Sequence, residues 1–434
     1  MKYYLAIDIG ASSGRHIIGF IEDDEIKTVE VYRFSNGVSE LDGRLTWNIE
    51  HLFKEVKNGI KKSLELYPKI ESMSIDTWGV DYVLLNGDTE ILPVYAYRDS
   101  RTKKVIDEVH SLIPFSRLYE ITGSQFQEFN TIYQLYEDKL TCRLDTATDF
   151  LFIPEYLMYK LTGVKKHEYT NASTSGMMDA ATNTYSSEII SSLGLKSELF
   201  TTLDKPKTYV GKFTEEVAIE VGGNIDVVLC ATHDTASAVE GIPMKKNAPY
   251  ISSGTWSLLG IKTSHAITNK EAMLANYSNE YGPDYIRFQK NIMGLWIIQC
   301  LAKEMNLDFP TMVKMSTESE YLELFDVNSN EFFATNNMKE SIINWFINKN
   351  IVPPTTDKDI INATYRSLAY SYKVAIDELE SITKEKYDDL YIVGGGAKNK
   401  YLNELTKEFT KKNVIALPIE ATAIGNLLIQ MKGF

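Results

Sequence analysis

A short apolar strand that carries a carboxylate near its end opens the chain and leads into a turn of small and hydroxyl residues. Residues 4–9 supply the strand, and Asp8 lies near its end. Gly10 and Gly14 permit a tight hairpin, in which backbone N–H groups, two serine hydroxyls and Arg15 meet at one point. Such a point can bind phosphate, and Asp8 could hold the magnesium ion that accompanies ATP. An ordinary surface hairpin is the alternative interpretation of so short a motif.

A second carboxylate, Asp234, follows another buried-strand candidate at residues 226–230. In phosphoryl transfer to an alcohol, an ionised carboxylate within hydrogen-bond reach is the simplest acceptor for the hydroxyl proton. Asp234 is the predicted acceptor, and capping of a helix N-terminus is the alternative, because Asp commonly has that role. Histidine side chains in general change charge near neutral pH, so the neighbouring His233 is a second candidate base.

The elements that must position these residues alternate between strands and helices. Apolar residues at helical spacing predict a helix over Ile49–Leu66. Short apolar runs predict the other elements of the chain: strands at residues 17–21, 30–34, 73–77 and 390–393, a hairpin joining 82–85 to 90–92, and helices at 357–379 and 400–410. Strands mixed with helices in this order predict an α/β fold.

Residues 249–261 repeat the pattern of the N-terminal hairpin: an apolar strand, then small hydroxyl residues and a glycine, then a second strand. One copy therefore opens each half of the chain, which is a weak internal two-fold repeat. The predicted strand at 390–393 ends in Gly394, Gly395 and Gly396. Three glycines let backbone approach a flat or charged ligand closely, and a crowded packing turn is the alternative.

Length and composition limit the class of protein. The chain has 434 residues, more than one hydrophobic core usually covers, so we predict two domains, 1–242 and 243–434. The net charge of −14 argues against a nucleic-acid partner. Three widely spaced cysteines support neither a disulfide framework nor a zinc site. The start leaves no room for a signal peptide and no apolar run reaches the length of a membrane span, so we expect a cytoplasmic enzyme without a membrane partner.

A run of alternating charges, residues 98–101, follows an apolar stretch at 93–97. Such runs are usually solvated. Its position after apolar residues favours an internal ion-pair network that supports a binding pocket, and we predict no direct role in the site.

The sequence lacks the Walker A and GxGxxG patterns, so ATP would be bound by another architecture. Eight segments taken in order resemble the FGGY family of carbohydrate kinases. They span nearly the whole chain and are residues 8–15 (DIGASSGR), 76–81 (DTWGVD), 97–102 (YRDSRT), 168–173 (EYTNAS), 233–238 (HDTASA), 252–257 (SSGTWS), 291–296 (NIMGLW) and 394–396 (GGG). The resemblance implies two actin-like, ribonuclease-H-type α/β domains flanking a deep cleft, which we expect to close around both substrates.

The resemblance also implies a role for each matching residue. Asp234 would be the catalytic proton acceptor, and Asp8 would act on Mg²⁺ directly or through water. The residues implied to bind ATP are Ala11, Ser12, Ser13, Gly14, Arg15, Thr255, Gln299, Gly395 and Gly396. Those implied to bind the sugar are Gly79, His233, Asp234, Thr235 and Asn291. His233 is then a sugar contact rather than the base.

Within the family, the resemblance implies phosphorylation of L-rhamnulose to L-rhamnulose 1-phosphate, in L-rhamnose breakdown. Another ketose, such as L-fuculose or L-xylulose, is the alternative, because pocket contacts shift selectivity only modestly. A sugar or nucleotide sensor without catalysis is the second alternative. We expect a monomer or homodimer. The chain stops at Phe434, earlier than the family pattern, so terminal packing and any dimer contact there are expected to differ.

Overall fold

The computed structural model describes residues 1–333, 335, 337–417 and 420–433. The chain forms two compact units. Unit 1 contains Met1–Pro243, Thr263–Phe288 and Ala421–Phe434, and unit 2 contains Met244–Lys262 and Gln289–Glu420. Two stretches beyond the predicted boundary at residue 242 thus belong to unit 1. The last of them is a helix, which packs onto strands near the N-terminus of the chain.

Strands and helices alternate along the described chain. The strands are β1 (Tyr3–Ile9), β2 (Ser13–Glu22), β3 (Glu25–Ser35), β4 (Val38–Leu41), β5 (Arg44–Trp47), β6 (Ile70–Thr77), β7 (Tyr82–Asn86), β8 (Thr89–Glu90), β9 (Val94–Tyr95), β10 (Asp149–Phe152), β11 (Met178–Asp179), β12 (Thr184–Tyr185), β13 (Tyr209–Lys212), β14 (Asp226–Val228), β15 (Tyr250–Ser253), β16 (Trp256–Thr263), β17 (Ser278–Tyr281), β18 (Ile286–Met293), β19 (Asp389–Val393) and β20 (Asn413–Ala416).

The helices are α1 (Ile49–Leu66), α2 (Ile106–Leu112), α3 (Phe115–Thr122), α4 (Thr131–Leu140), α5 (Ile153–Thr162), α6 (Tyr169–Ala172), α7 (Ser187–Ser192), α8 (Glu215–Val221), α9 (Asp234–Glu240), α10 (Lys270–Leu274), α11 (Trp296–Met305), α12 (Phe309–Thr317), α13 (Met338–Asn348), α14 (Asp357–Thr383), α15 (Lys400–Thr410) and α16 (Ala421–Gly433). Short 3₁₀ turns lie at Ser100–Lys104, Ser173–Ser175, Ser197–Leu199, Asn330–Phe332 and Gly395–Lys398. The mixture confirms the predicted α/β class.

The principal sheet of unit 1 has the strand order β13-β14-β6-β1-β2-β3. The hairpin β1–β2 is antiparallel, whereas β1, β6 and β14 run parallel. Strand β1 is buried on both faces. Leu5 and Ile7 pack in the core that contains α1, while Tyr4 and Ala6 pack against residues of α16. Burial on both faces explains why this strand is a continuous apolar run.

Helix α1 has the bounds that its apolar spacing predicts. Asn48 caps it, since its side chain accepts a hydrogen bond from the backbone N–H of His51. Leu52, Val56 and Ile60 are fully buried against the sheet. Each such side chain contributes about 1.5–3 kcal/mol of burial free energy, so packing rather than propensity holds this helix in place.

Unit 2 repeats the plan of a hairpin followed by parallel strands. β15 and β16 form an antiparallel hairpin, and β15, β19 and β20 run parallel. Within unit 2 the neighbouring strands of this sheet follow the order β16-β15-β19-β20. The strand–glycine–strand repeat at residues 249–261 is therefore confirmed as a second hairpin of the same kind as β1–β2.

Helices α9 and α16 approach each other closely at two glycines, which yields a stability prediction. A Cβ at Gly425 would lie 1.8 Å from the carbonyl oxygen of Ser237, and one at Gly241 would lie 2.1 Å from that of Ala421. Backbone cannot yield as a flexible side chain can. We expect Gly425→Ala to lower the free energy of unfolding by about 1–3 kcal/mol or more. Thermal unfolding measures the effect.

The matched control is Gly37→Ala, because a Cβ at Gly37 would meet no described atom within 4 Å. Its unfolding temperature should stay close to that of the wild type. Equal unfolding temperatures for Gly425→Ala and Gly37→Ala would contradict the close helix contact.

Candidate active site

The carboxyl ends of the parallel strands β1, β6 and β14 lie along one edge of the unit 1 sheet. Asp8 in β1 is paired in register with Asp76 in β6. The backbone N–H of Thr77 donates to the carbonyl of Thr232 at 2.9 Å, so His233 lies beside the end of β6. This edge is where α/β sheets usually bind ligands. It gathers the predicted residues of unit 1 from segments more than 200 positions apart in the sequence.

The predicted hairpin β1–β2 is formed, and its binding of phosphate stays a prediction. The backbone N–H of Gly10 donates to Ser13 O at 2.9 Å, and the side chain of Asn36 donates to Gly10 O at 2.8 Å. Neither Gly10 nor Gly14 has a positive φ. At Gly14 a Cβ would lie 2.1 Å from the ring of Phe34. Close packing, not a left-handed backbone, therefore requires glycine at position 14.

Two carboxyl groups and one guanidinium lie on β1, β6 and β2: Asp8, Asp76 and Arg15. Arg15 Nη2 is 2.5 Å from Asp8 Oδ2. Asp76 is fully buried, and Asn426 Nδ2 donates to its Oδ2 at 2.6 Å. Burial, followed by the charge of Asp8, raises the pKa of Asp76 well above its usual value. Asp76 was not predicted as a site residue, although its strand ends in Asp as β1 does.

The donor set at this edge suits magnesium bound to ATP. Within residues 1–333, 335, 337–417 and 420–433, no group of three or more His, Cys, Asp or Glu side chains is placed to hold a metal by itself. Mg²⁺ in nucleotide sites, however, takes most of its ligands from water and phosphate oxygens and needs only one or two carboxylates. Asp8, in register beside Asp76, offers that type of ligand.

Asp234 is the first residue of α9, and His233 is the capping residue before it. Its Oδ1 accepts hydrogen bonds from the backbone N–H of Thr235 at 2.5 Å and from Thr235 Oγ1 at 3.0 Å. None of the described residues donates to Oδ2, and the side chain is 33% exposed. The simple capping alternative does not hold, because no side-chain cap is formed at this helix. One carboxylate oxygen is thus fixed and the other is accessible.

His233 lies between Asp234 and a buried ion pair. Its Nε2 is 3.4 Å from Asp234 Oδ1, and its Nδ1 is 3.2 Å from Arg287 Nη2 and 3.4 Å from Glu280 Oε2. Arg287 is fully buried, and its Nε donates to Tyr281 O at 3.2 Å. Sequence reasoning missed Arg287 and Glu280. Both residues are far from His233 along the chain and lie in no recognisable motif, so the sequence contains no signal that would identify them.

Gly79 lies in a buried turn after β6. A Cβ there would lie 2.8 Å from the side chain of Thr174, so glycine is required by space. The next residue, Val80, has a φ of +69°, which is unusual and strained for a β-branched side chain. Thr174 Oγ1 accepts from Val80 N at 3.0 Å, and Thr131 Oγ1 donates to Val80 O at 2.8 Å. The surrounding contacts hold this backbone in one conformation.

Asp81 completes the turn as a buried carboxylate without a cationic partner among the described residues. Its Oδ2 accepts from the indole nitrogens of Trp47 at 2.7 Å and Trp78 at 3.0 Å, and from Tyr97 N at 3.0 Å. Its Oδ1 accepts from Gln134 Nε2 at 3.1 Å. Burial raises the pKa of Asp81 to about 6, despite these four donors.

The charged run at 98–101 is divided between interior and surface. Arg101 is buried and lies 2.7 Å from Glu137 and 2.8 Å from Asp138. Asp99 is also buried and pairs with Arg44 at 3.0 Å. An internal ion-pair network is thus present, as predicted, but Arg98 is exposed and packs over the ring of Tyr97.

Four of the predicted nucleotide residues, Thr255, Gln299, Gly395 and Gly396, lie in unit 2, where three segments meet. Thr255 is in the turn between β15 and β16, and the adjoining Gly254 O accepts from Leu295 N at 2.9 Å, next to α11. Gln299 lies one turn further along α11. The glycine turn after β19 packs on the same hairpin, because a Cβ at Gly396 would lie 2.0 Å from Ser253 Oγ.

This last contact shows that the glycine turn is crowded. Gly394 has a φ of +83°, and a Cβ there would lie 2.7 Å from Ser253 O. Gly395 is different, since it is exposed and a Cβ on it would have only an ordinary contact. Its backbone is the accessible part of the turn. The remaining predicted residue, Asn291, is half-buried on β18, four residues after Arg287.

Solved structures of sugar kinases share this two-unit α/β fold. A ligand-bound xylulose kinase from Lactobacillus acidophilus superimposes with a TM-score of 0.83 over 100% of this chain and 89% of its own, at 14% identity. At that identity the likeness establishes the fold alone. No helix in the described part of the chain is long and apolar enough to cross a membrane.

Sequence comparison is more specific. Residues 3–241 match the N-terminal domain of the FGGY family of carbohydrate kinases, and residues 249–434 match its C-terminal domain. The chain belongs to the FGGY family of carbohydrate kinases. It is 40% identical to a rhamnulokinase from Oceanobacillus iheyensis, over 98% of this chain and 92% of that protein. A rhamnulokinase from Halalkalibacterium halodurans is 41% identical, over 99% and 93%.

Proposed function

We propose that this chain transfers the γ-phosphoryl group of ATP to L-rhamnulose and forms L-rhamnulose 1-phosphate, a step of L-rhamnose breakdown. The observation that supports this substrate most directly is the similarity to two rhamnulokinases along nearly the whole chain. The geometry of Asp234 supports the chemistry, since one oxygen is fixed by Thr235 and the other is accessible.

Asp234 is the proton acceptor in this proposal. The 1-hydroxyl oxygen of the sugar attacks the γ-phosphorus, the bond from that phosphorus to the bridging oxygen of ADP breaks, and the hydroxyl proton passes to Asp234 Oδ2. Thr235 holds Oδ1, so the carboxylate keeps one orientation throughout. General-base help of this kind contributes about 10²–10⁴-fold to a rate.

The other predicted residues divide between sugar and nucleotide. The sugar would be bound by Gly79, His233, Thr235 and Asn291. The phosphates and the rest of the nucleotide would be bound by Ala11, Ser12, Ser13, Gly14, Arg15, Thr255, Gln299, Gly395 and Gly396. We assign the sugar side, the first phosphate hairpin and the catalytic carboxylate to residues 1–242, and the nucleotide side to 243–434. Mg²⁺ that arrives with ATP would be held by Asp8, directly or through water, and would neutralise phosphate charge.

We place the enzyme in the cytoplasm, as a monomer or homodimer. Cys142, Cys230 and Cys300 are free thiols, as a reducing compartment would keep them.

A panel of ketoses tests the substrate. ADP release, followed by a coupled assay, should give L-rhamnulose a kcat/KM at least about tenfold above those of L-fuculose and L-xylulose, since a site that hydrogen-bonds particular hydroxyls rejects a sugar that leaves its polar groups unpaired. A kcat/KM for L-fuculose much larger than that for L-rhamnulose would overturn the assignment of L-rhamnulose as the substrate. If no ketose of the panel led to ADP release, the non-catalytic sensor alternative would be favoured instead.

A further inference from the structure

Arg287 is the buried charge nearest to the predicted sugar contact His233. It has no exposed surface, and its Nη2 lies 3.2 Å from Glu280 Oε2, which balances its charge. The same nitrogen lies 3.2 Å from His233 Nδ1 with hydrogen-bond geometry. The arginine is therefore fixed by Glu280 and by the carbonyl of Tyr281, and it directs an N–H at the histidine ring.

A guanidinium can only donate hydrogen bonds, so its partner nitrogen on a histidine must be an acceptor. His233 Nδ1 then carries no proton, and the proton of the neutral ring is on Nε2. That nitrogen lies on the side of Asp234, 3.4 Å from Oδ1. Glu280 Oε2, at 3.4 Å from Nδ1, would favour the opposite tautomer if Arg287 were absent.

We propose that Arg287 is a positioning residue that holds His233 in the Nε2–H tautomer, so that the ring donates a hydrogen bond to a sugar oxygen and cannot accept its proton. This inference rests on the proposed function, in which His233 contacts the ketose. It assigns the two candidate bases different tasks. Asp234 takes the proton, and His233 orients the hydroxyl that loses it.

The tautomer can be measured without any activity. In the full chain labelled with ¹⁵N-histidine, long-range proton–nitrogen spectra should show His233 with a bare Nδ1 and a protonated Nε2. The signal is assigned by its loss in His233→Gln. In Arg287→Met, the proton should move to Nδ1, where Glu280 accepts it. The KM for L-rhamnulose should rise about tenfold, as expected when a hydrogen bond to the sugar is lost, while the KM for ATP changes less than about twofold.

Glu280→Gln is the matched control, because it changes the same cluster but keeps Arg287. In this variant, His233 should have the same tautomer as in the wild type. Arg287→Lys restores a donor-only cation, so its KM for L-rhamnulose should lie between those of Arg287→Met and the wild type. A wild-type His233 with its proton on Nδ1 would overturn the inference, and so would an unchanged tautomer in Arg287→Met.

Two outcomes keep the inference separate from the proposed function. If Arg287→Met fails to fold, the spectra of the wild type and of Glu280→Gln still decide the tautomer. If the wild type phosphorylates no ketose but shows the Nε2–H tautomer, the proposed function fails and the role of Arg287 in fixing the ring stands.

Discussion

Replacement of Asp234 by Asn is expected to lower kcat by about 10²–10⁴-fold and to leave the binding of ATP and sugar nearly unchanged. The amide has the shape of the carboxylate, and its carbonyl oxygen can still accept the two hydrogen bonds from Thr235. It cannot take a proton from the sugar hydroxyl at neutral pH. Steady-state ADP release gives the turnover, and calorimetric titration of each substrate gives the affinities.

Asp308→Asn is the matched control for this change. Asp308 also lies at a helix N-terminus, where it caps α12 by accepting from Thr311 N at 2.8 Å. The same substitution there should leave turnover close to that of the wild type. If Asp234→Asn turned over as fast as Asp308→Asn, another base, or none, would serve the reaction.

Local patterns predicted the elements well where one short segment determined its own structure. Helix α1 and helix α15 begin and end at the predicted residues. The hairpins β1–β2 and β15–β16 also formed where strand, glycine and strand follow each other. Each of these signals depends on side-chain periodicity and turn residues within about twenty positions, which a single sequence displays directly.

Contacts between distant segments were not visible in this way. The return of α16 to unit 1 depends on Gly425 and Gly241, which are 184 positions apart and have no pattern in common. The pairing of Arg287 with His233 likewise joins a strand residue to a helix cap. Both depend on tertiary packing, which one sequence without aligned relatives does not report.

The site was predicted unevenly for the same reason. Asp8 and Asp234 could be predicted because Asp8 lies near the end of one buried strand and Asp234 follows another, and such positions are local signals. Asp81 lies within one of the segments that resemble the family, but no role is predicted for it from the sequence. Its importance lies in donors from residues 47, 78, 97 and 134, which only the folded chain brings together.

The second large effect is expected at Asp81, where substitution should change the stability of the fold. Asp81→Leu would leave two indole N–H groups and one backbone N–H buried without an acceptor, whereas Gln134 Nε2 would keep its bonds to Phe129 O and Val80 O. Each orphaned donor costs about 1–3 kcal/mol, so we expect this variant not to reach the folded state. Asp81→Asn keeps an acceptor for the three donors at Oδ2 and should fold. Circular dichroism and yield of the folded chain distinguish the two.

The difference in stability between the wild type and Asp81→Asn should depend on pH, and the direction of the pKa shift of Asp81 sets its sign. The pKa of Asp81 is about 6 in the folded chain, compared with 3.8 for an ordinary Asp. Between these values the folded state keeps a proton that the unfolded chain has released, so this group makes folding less favourable as the pH rises. A shift of about two units corresponds to about 3 kcal/mol. The stability of the wild type relative to Asp81→Asn should therefore fall by about that amount between pH 4 and pH 7.

Denaturant unfolding of both proteins at several pH values in this window measures the difference. Asp88→Asn is a control of opposite sign, because hydrogen bonds from Tyr159 and Lys165 lower the pKa of the exposed Asp88. Its wild-type carboxylate helps folding above its pKa, so the advantage of the wild type should grow as the pH rises towards the ordinary Asp pKa of 3.8 and level off above it, with no fall towards pH 7. A wild-type advantage over Asp81→Asn that is the same at pH 4 and pH 7 would show that the buried carboxyl titrates as an exposed one does.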